Sequence, residues 1–456
     1  MSLGELAPVC VAIVGSGPAG LYAAAELLKR EARVHVEMYD RLPTPGGLVR
    51  SGVSPDHADR RKMTAVYERL ILGSGRFRFH GNVEVGTHVS QEELRRHHSA
   101  VIYACGASAD RRLGIPGEDL PGSHAATEFV GWYNAHPDFA DRHFDLSCER
   151  AVIIGNGNVA LDVARMLLLG HEYLRSTDVA DHALSALAES AVRELVVLGR
   201  RGPTQASFTV PELLELKQLG DVQVVIDSGD DLHQEDVDPQ AGGGMRALRQ
   251  RILAELGQAH DGDGRPKRLT LKFLTSPVAI LGQERVEGIR VVRNRLSVDV
   301  AGAVRAEATS NCEDIACGLV LRSVGYFGRP IPGMPFDAAS GVMPNRAGRV
   351  VADGHCLNGS YVVGWLKRGP SGVIGTNKVC AQETVTALLE DLVFGRLAPP
   401  ASDLNAFDAL LSKRSPQRMD YRAWNVVDRH ERAAGLRQGR PRVRLSRVTE
   451  MFHITR

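Results

Sequence analysis

Two glycine-rich turns of the same kind, Gly15–Gly20 and Gly155–Ala160, have the spacing that binds phosphates. In such a turn the first glycine allows a tight bend and the second lets a pyrophosphate approach the backbone. The third position, Gly20 in the first turn, lets the following helix pack against the strand. The free amides at that helix N-terminus then face the phosphates. Two such turns predict two dinucleotides, and a protein that holds two dinucleotides is expected to pass electrons between them.

The residues that follow the next strand differ between the two turns. Asp40 lies 20 residues after Gly20, the spacing expected for a carboxylate that binds a ribose hydroxyl. At the second site the corresponding strand runs instead into Arg200 and Arg201. Paired guanidinium groups suit the 2′-phosphate of NADP(H), although an arginine pair in a solvated turn is the alternative interpretation.

The surrounding pattern indicates the elements that must position these groups. Apolar strand-like runs at 11–14 and 151–154 precede the turns, and helical periodicity follows each turn. A Pro/Gly-rich segment, 42–50, comes directly after Asp40 and is typical of flavin enzymes, so FAD is the predicted first ligand. The second unit is irregular because Arg200 lies 40 residues after Ala160. We therefore predict an insertion over 170–190, with a loop and a short helix that begins near Ser176.

Composition narrows the class of protein. A chain of 456 residues, 43% hydrophobic and 24% charged, predicts two globular domains. A net charge of +1 gives no global attraction to nucleic acid or a membrane surface. Seven scattered cysteines predict a reducing, cytoplasmic setting rather than a disulfide framework. There is no apolar run of the roughly 20 residues that a membrane helix needs, and a strand beginning near Val9 leaves no room for a signal peptide.

Longer motifs resemble those of one family, the ferredoxin–NADP⁺ reductases of the adrenodoxin-reductase type, especially the actinobacterial ones. The resemblance covers nearly the whole chain, and its clearest segments are 47–53, 129–137, 156–165, 364–377 and 439–443. It implies that NADPH gives a hydride to FAD and that electrons then pass singly to a small acidic iron–sulfur protein, a ferredoxin. A cytochrome P450 or a similar protein is the expected final acceptor.

The resemblance also implies an α/β fold with two Rossmann-like dinucleotide-binding domains. An NADP-binding domain, 109–326, is inserted into a discontinuous FAD-binding domain made of 1–108 and 327–456, the latter with a C-terminal extension. Where the chain crosses between the domains, near 106–112 and 325–329, we expect a two-stranded hinge.

Individual site residues carry over from the family by position. The positions that match FAD contacts are Ala19, Asp40, Leu48, Val83, Trp365, Gly372, Val373 and Ile374. The positions that match NADPH contacts are Asn156, Gly157, Asn158, Val159, Arg200, Arg201 and Glu212, with Gly372 near the nicotinamide.

His57 and Glu215 match a catalytic pair of the family. Because hydride transfer needs no acid or base, their expected task is to orient the nicotinamide and tune protonation of the reduced flavin. A structural ion pair is the alternative, and Asp162 is a weaker candidate for the same site. For the acidic ferredoxin, the family's docking arginines match Arg246, Arg249 and Arg251, where a solvated helix face is the alternative.

Other functions remain open at this point. Cys312 and Cys317 are predicted to be unpaired thiols, since they lie outside the positions used by disulfide reductases. No cysteine cluster has iron–sulfur spacing, so no metal centre is expected. A flavin monooxygenase or oxidase, and an NADPH-binding redox sensor, are the alternative functions.

Overall fold

The computed structural model describes residues 8–62, 65–228, 243–258, 266–300, 302–400 and 404–456. The chain divides into two compact units. The discontinuous unit consists of Met1–Arg111 and Gly325–Arg456, and the inserted unit is Arg112–Val324. The predicted domain boundaries lie two or three residues away, at 108/109 and 326/327.

The first part of the discontinuous unit alternates strands with helices. Its strands are β1 (Val9–Val14), β2 (Val34–Asp40), β3 (Phe77–Gly81), β4 (Ala100–Tyr103) and β5 (Ala109–Asp110). Its helices are α1 (Pro18–Arg30), α2 (Leu48–Ser51), α3 (Ala58–Arg61), α4 (Ala65–Gly73) and α5 (Gln91–His97).

The inserted unit repeats the alternation and adds an antiparallel hairpin. Its strands are β6 (Ser123–Ala125), β7 (Arg150–Ile154), β8 (Glu194–Leu198), β9 (Val222–Asp227), β10 (Lys267–Lys272), β11 (Thr275–Leu281), β12 (Gly288–Val298), β13 (Val304–Ala316) and β14 (Leu319–Arg322). Its helices are α6 (Ala126–Tyr133), α7 (Asn158–Leu168), α8 (His171–Arg175), α9 (Asp181–Ala188), α10 (Val210–Glu215) and α11 (Gly243–Gln258), with 3₁₀ turns at Pro137–Phe139, Pro203–Gln205 and Leu216–Gln218.

The last part of the chain completes the discontinuous unit. Its strands are β15 (Tyr326–Phe327), β16 (Asn345–Arg346), β17 (Arg349–Ala352) and β18 (His355–Val362). Its helices are α12 (Trp365–Arg368), α13 (Thr376–Val393), α14 (Leu404–Arg414), α15 (Tyr421–Arg437) and α16 (Val448–Ile454).

The main sheet of the discontinuous unit has the strand order β16-β17-β18-β4-β1-β2-β3. From β18 to β3 the neighbours are parallel, and β1 is buried along its whole length. Buried parallel strands read as continuous apolar runs, which is the pattern of 9–14. Helices α1 and α13 cover one face of this sheet, with Ala24, Leu27 and Val385 in the shared core. The carboxyl ends of β1 and β2 therefore place the first glycine turn beside Asp40.

The inserted unit has its own parallel sheet, in the order β6-β14-β7-β8-β10-β9. Its strand β7 pairs with β8 so that Ile154 lies opposite Leu198, which brings the second turn next to the residues that follow β8. The antiparallel sheet β11-β12-β13 packs over the face that contains Val152 and Val196. Two parallel sheets with helices packed on them agree with the predicted α/β class.

The predicted crossing contains a short ladder, because β5 pairs antiparallel with β15. The two-stranded arrangement is thus as expected, and its flexing stays a prediction. Among the helices that the structure describes, none combines the length and apolar character that crossing a membrane requires.

The prediction for 170–190 was wrong in detail. The segment holds two helices, α8 and α9, and no helix begins near Ser176. The Ser176 and Thr177 hydroxyls donate to the carbonyls of Tyr173 and Leu174, at 2.7 Å each. These side chains therefore lie at the end of α8, where they bond backward instead of capping a new helix.

Candidate functional site: two dinucleotide turns

The first turn needs its glycines for two different reasons. Gly15 has φ +109°, and a Cβ there would lie 2.5 Å from the carbonyl oxygen of Ala104. A Cβ on Gly20 would lie 2.1 Å from the carbonyl oxygen of Gly15. These two positions are thus closed by the protein itself. At Gly17, by contrast, the nearest heavy atom to a Cβ is the Gly47 Cα at 4.0 Å. A ligand could therefore approach the protein backbone closely at this glycine.

Asp40 also holds the turn in place, which the sequence did not indicate. Its Oδ2 accepts bonds from the Ser16 amide at 2.8 Å and the Ser16 hydroxyl at 2.5 Å. Its Oδ1 accepts a bond from the Leu42 amide at 2.9 Å. Burial raises the pKa of this carboxyl group, while the bonds from Ser16 and Leu42 oppose that rise. Asp40 therefore joins the glycine turn to the start of the 42–50 segment.

The 42–50 segment returns to the glycine turn. Gly47 has φ +50°, and a Cβ there would lie 2.8 Å from the Gly17 Cα. Helix α2 begins directly afterward with Leu48, whose side chain is 40% exposed. Val83 is different: its side chain is buried, and its amide donates to the Asp40 carbonyl at 2.8 Å. The structure thus leaves Leu48 available to a ligand and commits the Val83 amide to the fold.

The later part of the chain supplies further candidate positions in the same unit. The indole Nε1–H of Trp365 is buried and has no hydrogen-bond partner within the described part of the chain. Gly372 has φ +82°, and Val373 beside it is 57% exposed. Helix α13 begins at Thr376, so its N-terminus lies just after 372–374. An unsatisfied buried donor and an exposed apolar side chain before a helix N-terminus are features that a bound dinucleotide would use.

The second turn has the same backbone and a different support. Gly155 has φ +111°, and a Cβ there would lie 2.2 Å from the Ser323 carbonyl oxygen. A Cβ on Gly157 would meet only the Ser207 Cβ, at 4.0 Å. The Asn158 Oδ1 accepts a bond from the Thr209 amide at 2.8 Å. The Asn156 carbonyl accepts one from the Phe208 amide at 3.1 Å.

The residues after β8 lie where the sequence predicts them. Arg200 is exposed and Arg201 is half-buried. The Arg200 carbonyl accepts a bond from the Asn294 side-chain amide at 2.8 Å, and the Arg201 carbonyl accepts one from the Leu274 amide at 3.1 Å. Backbone bonds thus hold the turn while an exposed guanidinium faces solvent. Glu212, on α10, is buried, as is Ala160, whereas Val159 is half-buried.

The acidic candidates of the inserted unit share one arginine. Arg165 on α7 is buried, and its Nη2 lies 2.7 Å from the Asp162 Oδ1. Its Nη1 lies 3.0 Å from the Glu215 Oε2. Sequence reasoning missed Arg165, although its spacing of three residues from Asp162 on one helix is a usable signal. Glu215 is therefore held by a cation of its own unit.

His57 belongs to the other unit. It caps the single turn α3, it is half-buried, and its amide donates to the Ser54 carbonyl at 3.0 Å. Its pairing with Glu215 stays a prediction.

Two of the three predicted docking arginines, Arg249 and Arg251, have side chains that the structure describes. Arg249 donates to the carbonyls of Thr204, Ala206 and Phe208 at 3.0, 3.1 and 3.3 Å, so its guanidinium holds a loop of its own unit. Its role at a partner surface stays a prediction. Arg251 is exposed, 3.8 Å from Glu255, and the Arg246 side chain lies outside the described residues.

All seven cysteines are free thiols. Cys312 lies exposed on β13, and burial raises the pKa of Cys317 to about 12. These two were predicted to be unpaired, and they are.

Residues 9–196 match the family described as pyridine nucleotide-disulphide oxidoreductase. The chain is 48% identical over 462 residues to the NADPH-ferredoxin reductase FprA of Mycobacterium tuberculosis, covering 98% of this chain and 99% of that protein. It is 40% identical to the mitochondrial NADPH:adrenodoxin oxidoreductase of Arabidopsis thaliana, covering 96% and 93%. A solved structure of Mycobacterium tuberculosis FprA in complex with NADPH superposes with a TM-score of 0.92 and 46% identity, covering 98% and 99%.

Proposed function

Since the chain belongs to the family of NADPH-ferredoxin reductases, we propose that it takes a hydride from NADPH and passes the electrons singly to a ferredoxin. The chain is an oxidoreductase that uses FAD and NADP(H). When bound, FAD supplies the conversion of a two-electron donor into one-electron delivery, which is chemistry of the cofactor rather than of the protein.

The discontinuous unit fits FAD. The open face at Gly17 suits the pyrophosphate. The Asp40 carboxylate accepts bonds from Ser16 and Leu42, and its remaining lone pairs suit a ribose hydroxyl. Leu48 offers an exposed apolar surface and Trp365 an unsatisfied donor. These residues would hold the cofactor, with Ala19 at the start of α1.

The N-terminus of α13 gives the same site an electrostatic role. An 18-residue helix that begins just after 372–374 presents its positive dipole end and free amides there. That end would stabilise negative charge on the reduced flavin. Gly372, Val373 and Ile374 would contact the cofactor by the same placement.

The inserted unit fits NADPH. Gly157 leaves an open approach at the helix N-terminus, and Asn156 and Asn158 shape the turn. The exposed Arg200, with Arg201, would bind the 2′-phosphate, and Glu212 and Val159 would complete the pocket. This arginine pair after β8 is the observation that supports NADPH over NADH.

His57 and Glu215 would orient the nicotinamide and hold a proton near the reduced flavin. Arg165 keeps Glu215 and Asp162 as acceptors in fixed positions, because one buried guanidinium serves both carboxylates. A structural ion pair would leave hydride transfer unchanged when His57 is replaced.

The partner would be an acidic ferredoxin, with a cytochrome P450 or a similar protein as the final acceptor. Arg251 is an exposed candidate contact, and Arg246 and Arg249 stay predictions. Charge reversal at Arg251 should raise the KM for ferredoxin and leave small-molecule acceptors unaffected.

The direct test is NADPH-dependent reduction of cytochrome c, measured with and without added ferredoxins and with hydrogen peroxide quantified. A reductase reduces cytochrome c through the ferredoxin with little peroxide. Stoichiometric peroxide with no ferredoxin-dependent reduction would indicate an oxidase or monooxygenase, and no NADPH consumption at all would indicate a sensor.

A further inference from the structure

One sequence motif, 439–443, has no part in either dinucleotide turn, although it is among the segments that match the family. In the structure this segment follows helix α15 and folds back along it. A Cβ on Gly435 would lie 2.4 Å from the Arg442 Cα, so glycine is what lets the two pieces meet. The Val443 amide donates to the Glu431 carbonyl at 2.9 Å.

The fold-back surrounds a buried carboxylate. Glu431 has no exposed side-chain surface and accepts four hydrogen bonds. Two come from the Arg50 guanidinium, Nη2 to Oε1 at 2.6 Å and Nη1 to Oε2 at 3.0 Å. The others come from Arg442 Nη1 to Oε2 and the Leu445 amide to Oε1, at 3.0 Å each. The two arginines keep the pKa of Glu431 below its ordinary value, although burial opposes them.

Arg50 connects this carboxylate to the predicted flavin segment. It lies in α2, two residues after Leu48, and its guanidinium stacks 4.9 Å from the Trp424 ring. Arg444 Nη1 donates to the Arg50 carbonyl at 2.6 Å, so the C-terminal segment holds both ends of this residue.

The turn α2 transmits that restraint to the glycine turn. The amides of Arg50 and Ser51 donate to the Gly47 carbonyl at 3.1 and 3.0 Å. Gly47 in turn lies against Gly17, where only a glycine fits. A continuous set of bonds and contacts therefore runs from Glu431 through Arg50 and α2 to the open face at Gly17.

From this geometry we propose that Glu431 is a positioning residue for FAD. Through Arg50 it holds α2 against the glycine turn and thereby slows FAD release. Removing its charge would leave Arg50, a poorly exposed cation, without the carboxylate that both of its terminal nitrogens bind, whereas Arg442 would keep its pairing with Asp428. The proposal rests on FAD being the ligand of the discontinuous unit.

The test is the FAD dissociation rate of the purified holoenzyme, followed by the rise in flavin fluorescence after dilution. Glu431→Gln should release FAD at least about tenfold faster, since a buried charge pair loses one partner. Its flavin circular dichroism should change, and added FAD should restore NADPH oxidation with an unchanged KM for NADPH.

Asp428→Asn is the matched control. Asp428 lies on the same helix and binds Arg442 at 2.8 Å and Arg432 at 2.7 Å, and it is not among the residues bonded to Arg50. This variant should release FAD at the wild-type rate within about twofold, as expected for a partly exposed pair. Arg50→Gln combined with Glu431→Gln should be no worse than Arg50→Gln alone, because coupled residues are not additive.

If Glu431→Gln does not fold, Arg50→Lys gives the same reading, since it keeps the charge and loses the paired geometry. A wild-type release rate in Glu431→Gln, or equal acceleration in Asp428→Asn, would overturn the proposal. Neither result would affect the proposed reductase activity, which the wild-type protein reports separately. If instead the wild-type protein purified without FAD, the premise that FAD is the ligand of the discontinuous unit would be wrong.

Discussion

The two glycine turns share a backbone and differ in how the rest of each unit supports them. At the first turn a half-buried acid, Asp40, binds Ser16 inside the turn, and Gly47 lies directly on the turn. At the second turn, main-chain amides of 208–209 bind Asn156 and Asn158, and an exposed arginine, Arg200, lies two residues after the end of the next strand.

We propose that this difference lets the first site retain its cofactor and lets the second site exchange its cofactor. The first turn lies against a segment that the C-terminal helix α15 holds through Arg50, and we propose that this segment helps to retain the ligand. The second turn presents Arg200 to solvent, which suits a cofactor that arrives and leaves. We therefore expect the first site to keep FAD through many turnovers while NADPH exchanges at the second.

The largest effects are expected when a methyl group is added at the open glycine of each turn, because this blocks the approach of a ligand to both turns in the same way. Gly17→Ala and Gly157→Ala both place a Cβ 4.0 Å from the nearest described heavy atom outside the adjoining backbone, so both proteins should fold. Gly17→Ala should lose FAD from the purified protein. Gly157→Ala should keep FAD and raise the KM for NADPH by about 100-fold, roughly 3 kcal/mol of lost binding. Flavin absorbance per chain and steady-state kinetics measure the two effects.

Gly20→Ala serves as the opposite control, because its Cβ would lie 2.1 Å from the Gly15 carbonyl oxygen and should destabilise the fold itself. Normal FAD content in Gly17→Ala would show that this turn does not bind the cofactor.

A second change tests the arginine pair. Arg200→Ala and Arg201→Ala together should raise the KM for NADPH by about 100-fold, because each charge-assisted bond contributes about 1.5–3 kcal/mol. The KM for NADH should stay constant, which makes NADH the internal control. Arg290→Ala, which removes an exposed arginine paired with Asp314, should change neither constant. Equal losses for NADPH and NADH would place the pair away from the 2′-phosphate.

A third change concerns the predicted catalytic pair. His57→Gln should slow flavin reduction by about tenfold with FAD still bound. This is less than the roughly 100- to 10,000-fold expected of a general acid or base, because hydride transfer needs neither. Glu215→Gln should act in the same direction, since Arg165 would then hold a neutral amide. Anaerobic stopped-flow absorbance reports the rate. If His57→Gln has wild-type kinetics, the pair of His57 and Glu215 has only a structural role.

The last expected effect concerns the stability of the discontinuous unit rather than turnover, and it is a pH dependence beneath the first turn. Tyr39, which precedes Asp40, donates its hydroxyl to the buried His98 Nε2 at 3.1 Å, while Nδ1 donates to the Leu94 carbonyl. Burial lowers the pKa of His98 to about 4. Because the folded state favours the neutral ring, its contribution is complete above pH about 6.5 and is lost as the pH falls toward 4.

This loss corresponds to about 3 kcal/mol of unfolding free energy between those pH values. His98→Gln should flatten that slope in denaturant titrations, whereas His430→Gln, at an exposed position on α15, should preserve it. An unchanged slope in His98→Gln would assign the acid sensitivity to other groups.

Sequence predicted the features whose causes are local. A glycine turn between a strand and a helix requires specific backbone angles within a few residues, so both turns and the residues after β2 and β8 could be located.

Features that depend on distant partners could not be predicted. Ser176 and Thr177 resemble helix-starting residues, and only the fold shows that they bond backward. In the sequence Arg249 resembles a surface residue, but in the structure its guanidinium donates to loop carbonyls of 204–208. Glu431 and Arg50 are 381 residues apart, and no local pattern connects them.

The most direct test of the two-site account is anaerobic single-turnover reduction of the FAD-loaded protein by NADPH and, separately, by NADH. We expect NADPH to bleach the flavin at low concentration and NADH to require far more. Subsequent addition of oxidised ferredoxin should return the flavin absorbance. No bleaching by NADPH, or equal bleaching by both nucleotides, would contradict the account.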